Sequence, residues 1–69
     1  MKITLNGQPR DLNGVADVPS LLAMLDVRLE QVAVAINGEV IRRDDWRRTA
    51  LREGDAVEVV RAVGGGALR

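Results

Sequence analysis

Glu53-Gly54-Asp55-Ala56-Val57-Glu58-Val59-Val60-Arg61-Ala62-Val63-Gly64-Gly65-Gly66 is the stretch on which the fold of this 69-residue chain turns. Glu53-Gly54-Asp55 is a tight-turn triplet. From Ala56 the residues alternate as in a strand with one buried face: Val57 and Val59 on one side, Glu58 and Val60 on the other. The strand is expected over Ala56–Ala62. It runs into three glycines, which have no side chain to bury and the most backbone entropy to lose, so they extend a packed strand poorly. The expected organisation is a folded domain over 1–63 and a flexible glycine tail over 64–69.

Working back from that strand, Gln31–Ile36 is β-branched at Val32, Val34 and Ile36, with Ala33 and Ala35 between them. The three branched residues should face the core, leaving the alanines as a flat opposite surface. Asn37-Gly38 is the preferred two-residue type I′ turn, because both central positions need positive φ. A short return strand, Glu39–Ile41, follows it. The same signal recurs at Asn6-Gly7, between a strand carrying Ile3 and Leu5 and a second strand around Pro9–Leu12. Pro9 cannot donate to a ladder and belongs at a strand start or on an edge. Asp17 is a good helix N-cap with Pro19 in the first turn, and Val18, Leu21, Leu22, Leu25 and Leu29 recur at helical spacing as one apolar stripe. Asp44-Asp45-Trp46 reads as a capped single turn.

The element order is therefore β-β-α-β-β-β, with the first and last strands side by side and one main helix across the sheet. This is an α+β, ubiquitin-like β-grasp arrangement with a mixed sheet. The last strand takes the sheet centre, so the glycine tail leaves from the middle of the body.

Composition narrows the chemistry. A domain of this size buries only about 60% of the surface its unfolded chain exposes, so it holds one thin core. There is no cysteine and no histidine, which removes disulfides, thiolate nucleophiles, imidazole bases and the usual zinc ligands. Ten basic and ten acidic residues give a net charge of zero, which disfavours sequence-independent nucleic-acid binding. Arg42, Arg43, Arg47 and Arg48 flank the lone aromatic residue, Trp46. However, Asp44 and Asp45 lie among them, and no second aromatic offers a stacking platform. No apolar run approaches the roughly 20 residues that span a bilayer, and the turn at Asn6-Gly7 breaks any signal-peptide pattern. The expected location is the cytoplasm.

Ala35-Ile36-Asn37, Val40, Arg43, Trp46, Glu53-Gly54-Asp55, Val57-Glu58 and Ala62-Val63-Gly64-Gly65-Gly66, in that order and spacing, resemble the sulfur carriers of thiamine biosynthesis. The resemblance implies a carrier rather than an enzyme. A partner of the ubiquitin-activating type would adenylate the terminal glycine with ATP and Mg²⁺. A sulfur-transfer enzyme would convert it to a thiocarboxylate, and thiazole synthase would accept the sulfur. The carrier itself would bind no cofactor or metal. The reactive position maps to Gly66, with Gly64 and Gly65 threading into the partner. Three extended residues reach roughly 10 Å. Because the sequence continues through Ala67-Leu68-Arg69, Gly66 becomes terminal only when these three residues are removed or a shorter product is made. Apart from the resemblance, alternation puts Val60 on the exposed side of the last strand, where with Val63, Ala33 and Ala35 it forms either an apolar docking surface or simply scattered exposed side chains. The competing readings are a sulfur carrier for molybdenum-cofactor or cysteine synthesis, and a β-grasp interaction module that carries no sulfur.

Overall fold

The computed structural model describes residues 1–15 and 17–61. The expected boundary between domain and tail at residues 63 and 64 lies outside them, as do Ala62, Val63 and the glycines.

Five strands form one sheet: β1 (Lys2–Leu5), β2 (Gln8–Asp11), β3 (Val32–Ile36), β4 (Glu39–Ile41) and β5 (Ala56–Arg61). Their spatial order is β2-β1-β5-β3-β4. β1 and β5 run parallel, with Thr4 beside Ala56 and Leu5 beside Val57, while the remaining pairs are antiparallel. The last strand is thus central, and β2, which holds Pro9, is an edge. This matches the arrangement expected from the sequence.

Both asparagine–glycine turns adopt the predicted geometry. Asn6 and Gly7 have φ of 50° and 82°, and Asn37 and Gly38 have 53° and 85°. Asparagine tolerates the left-handed region because its short polar side chain bonds locally, and glycine has no Cβ to clash there.

The helix α1 spans Val18–Leu25. Asp17 caps it: the Ser20 main-chain N–H donates to Asp17 Oδ1 at 2.9 Å. Val18, Leu21 and Leu22 are fully buried and face Ile3, Leu5, Val32, Val34, Ile36 and Val57 of the sheet. Burying an aliphatic side chain of this kind is worth roughly 1.5–3 kcal/mol, and these contacts join the two layers. Leu12, Trp46 and Leu51 close the rim of the same core.

Four expectations are corrected. The apolar stripe was extended to Leu29, but the helix stops at Asp26, whose φ of 57° and ψ of 47° reverse the chain and whose N–H returns to the Ala23 carbonyl. Leu29 instead lies in a 3₁₀ turn, Leu29–Gln31, and is 42% exposed. That turn also takes Gln31 from the start of β3. The turn around Trp46 is a longer 3₁₀ helix, Arg43–Arg48, and no side chain caps its start. Its aspartate works inside it: Asp45 accepts from Arg48 at 2.7 Å, and the Asp45 carbonyl accepts from the Thr49 hydroxyl at 2.7 Å. Finally, β2 covers Gln8–Asp11, so Leu12 lies just past its end, where it is buried.

Candidate functional site

The features of functional interest are the strand that leads to the glycines and the sheet face beside it. β5 is held from both flanks. On one side it pairs with β3 along its length, from Ile36 beside Val57 to Val32 beside Arg61. On the other side the β1 ladder ends at Leu5, and Asn6 continues it with its side chain. The Val59 N–H donates to Asn6 Oδ1 at 2.9 Å, and Asn6 Nδ2 donates to the Val59 carbonyl at 3.2 Å. Asn37 does likewise at the start of the strand. It accepts from the Ala56 N–H at 2.9 Å, donates its own N–H to the Ala56 carbonyl at 2.7 Å, and bonds Asp55 Oδ1 at 3.0 Å through Nδ2. Asp55 in turn closes the preceding turn by accepting from the Arg52 N–H at 2.8 Å. The chain therefore enters β5 from a braced turn and stays paired with β3 up to Arg61, three positions before Gly64 in the sequence.

The sheet face away from α1 carries three of the four proposed docking residues. Ala33 stands opposite Val60 and Ala35 opposite Glu58 across the β3–β5 ladder. Val60 is 51% exposed, and the alanines are half-buried. Val63, Gly64, Gly65 and Gly66 lie outside the described residues. Val40, named above only within the family pattern, also belongs to this face: it pairs with Ala35 from the β4 side and is 71% exposed. Two-residue turn geometry could have found it, since Asn37-Gly38 sets Ile36 against Glu39 and hence Ala35 against Val40.

Elsewhere the polar groups serve the fold. Trp46 is buried, and its Nε1 donates to the Ile41 carbonyl at 3.0 Å. The Arg43 guanidinium lies 5.7 Å over that ring and donates to the Leu29 carbonyl at 3.1 Å. A buried indole offers no free face on which a base could stack. Asp17 has its carboxyl held below the ordinary range by hydrogen bonds from Ser20, its hydroxyl first and then its main-chain N–H. An open groove of about 470 Å³ runs between β4 and the segment after the 3₁₀ helix, lined by Glu39, Arg48, Arg52 and Asp55 among others. Among the described residues, no three acidic side chains gather where they could hold a metal ion. No helix there is long and apolar enough to cross a membrane.

A small β-grasp body whose central strand is followed in the sequence by three glycines has the make-up of the ubiquitin-like carrier domains. Comparison with known proteins agrees. The ThiS family model matches residues 3–66. A crystal structure of the thiamine biosynthesis protein ThiS from Geobacter metallireducens superimposes with a TM-score of 0.83 at 40% identity, covering 96% of this chain and all of that one. The sulfur carrier protein ThiS of Escherichia coli (strain K12) is 30% identical over 66 residues, which are 96% of this chain and 100% of that protein. The chain belongs to the ThiS family, the sulfur carriers of thiamine biosynthesis. It also matches a thiazole synthase of Paramagnetospirillum magneticum at 35% identity over 66 residues, although it spans only 20% of that protein's length.

Proposed function

We propose that this chain carries sulfur for thiazole formation, with the carboxyl group of Gly66 as the carrying atom once Ala67-Leu68-Arg69 are gone. The observation that carries this reading is β5: a central strand, paired on both flanks, whose chain runs on into Gly64-Gly65-Gly66, where the family match also ends.

A carboxylate resists attack because its charge repels nucleophiles and oxide is a poor leaving group. An activating enzyme removes both obstacles by transferring AMP from Mg²⁺·ATP to the Gly66 carboxylate, releasing pyrophosphate. Sulfur at the sulfide level, delivered by a sulfur-transfer enzyme, then attacks the carbonyl. The C–S bond forms, the C–O bond to phosphate breaks, AMP leaves, and no net redox change occurs. The thiocarboxylate sulfur is a good nucleophile: it bonds to a carbon of the substrate held by thiazole synthase, and cleavage of the C–S bond at Gly66 by water returns the carboxylate. In this reading the chain is a substrate of its partners, all in the cytoplasm where ATP is held, and positioning and charge stabilisation come from them. Gly64 and Gly65 let the backbone enter a narrow channel that a Cβ would block.

The face bearing Ala33, Ala35, Val40 and Val60, together with Val63, docks the body on the partner. The match to a segment of a thiazole synthase supports that enzyme as one occupant, because there a domain similar to this one shares a chain with the rest of the synthase.

The test is intact-mass measurement of the full-length protein and of a form ending at Gly66, each incubated with the host's activating enzyme, ATP, Mg²⁺ and a sulfur source. Exchange of one oxygen for one sulfur, confined to the trimmed form, is the expected result. Absence of adenylation and sulfur gain in both forms would favour a β-grasp interaction module.

A further inference from the structure

Glu58 occupies the middle of the outer sheet face, and among the described residues no cation pairs with it. Its neighbour across the β3–β5 ladder is Ala35, and Val40 stands beyond Ala35 in the same row. The next row sets Ala33 against Val60. The ion pairs among the described residues are Met1–Asp11 and Asp45–Arg48, so Glu58 has no ionic partner there. Fold stability does not explain a carboxylate at this place. Glutamate is depleted in strands. Opposite charges across a ladder would reward it, and alanine supplies neither charge nor much surface.

The same arrangement is selective towards whatever covers the face. Against a wholly apolar surface the carboxylate would be buried unpaired, which is costly. Against a surface that sets one cation within an apolar frame, it would gain a charge-assisted hydrogen bond in a site sheltered from water. We propose that Glu58 is the specificity-determining residue of this face and receives an arginine or lysine that thiazole synthase presents within an apolar patch. The proposal rests on the docking reading given above. Four small or branched apolar residues lie along the carboxylate's strand and on its β3 side, with Asn6 on the β1 side, so the complementary surface must combine a cation with an apolar patch.

The test is binding of the full chain to the host's purified thiazole synthase, at low and high salt, for the wild type, Glu58→Gln, Glu58→Arg and Val60→Asp. Far-UV circular dichroism checks that each variant is folded. Glu58→Gln should weaken binding about tenfold at low salt and flatten its salt dependence, with Glu58→Arg weaker still. If Glu58→Gln binds within about twofold of the wild type with the same salt dependence, while Val60→Asp does not bind, the role of Glu58 is overturned and the docking face stands. If Val60→Asp binds like the wild type, the docking face itself is overturned. A folded wild type with no affinity for the synthase overturns the choice of occupant.

Discussion

The Asn6 side chain exchanges two hydrogen bonds with the main chain of Val59, 53 residues away, and so acts as one further residue of β1. The backbone of Asn6 adds a third bond, its N–H donating to the Val57 carbonyl at 2.9 Å. A turn residue thus sets the register of the strand that leads to the glycines. Asn6→Gly should isolate this effect, because glycine accepts the positive φ and loses only the amide. The expected cost is about 1–2 kcal/mol, seen as a fall in Tm of roughly 5–10 °C in a domain of this size. An unchanged Tm would show that water replaces the amide at no cost.

Trp46 closes the core and satisfies the Ile41 carbonyl. Trp46→Ala should cost about 3–5 kcal/mol, comparable to the whole stability of a small domain, and should leave the protein largely unfolded by circular dichroism. Trp46→Phe keeps most of the volume but orphans the carbonyl. Its cost by urea unfolding should be about 1–3 kcal/mol.

Asp17 links stability to pH. Its carboxyl is held below the ordinary value by Ser20. A depressed folded value means that the contribution is present above the ordinary carboxylate pKa and disappears as pH falls through the lowered folded one. Asparagine caps equally well without titrating. Between about pH 5 and pH 2 the wild type should therefore lose stability more steeply than Asp17→Asn. Parallel curves from acid-dependent thermal melts would contradict this.

The proposed threading of the tail predicts a separation of fold and function. Gly65→Val places a branched Cβ where the partner's channel must close around backbone. Its unfolding free energy should stay within about 0.5 kcal/mol of the wild type. In the form ending at Gly66, the rate of sulfur gain should fall about tenfold or more. Undiminished sulfur gain would mean that the channel has room for a side chain.

Much of this architecture is legible in the sequence because the signals are local. Asn6-Gly7 and Asn37-Gly38 announce their turns through a backbone geometry few other pairs accept, and the turns then fix the β1–β2 and β3–β4 registers. Val32, Val34 and Ile36 read correctly as the buried side of β3 because the period of two admits no ambiguity once one face is apolar. The helix end was not legible. Leu29 sits four residues after Leu25, a spacing that continues the stripe, and only the left-handed turn at Asp26 breaks it. The bonds from Asn6 and Asn37 to β5 were invisible for a different reason: they join residues remote in sequence and leave no pattern in the chain. Of the candidate site, the three glycines stand out by their place behind the last strand, and they lie outside the described residues. Glu58 shares the face of Val60 by alternation and Val40 follows from the Asn37-Gly38 turn, but that both flank Ala35 shows only when β3, β4 and β5 are laid side by side.

The parallel pairing of β1 with β5 has a mechanical consequence. A tug that draws the C-terminal end away from Met1 loads the hydrogen bonds between these strands lengthwise, so that they must yield together rather than one at a time. Enzymes that pull this chain's end into a crevice would be hauling on an anchored rope, and the body should resist unravelling while its last residues are worked upon.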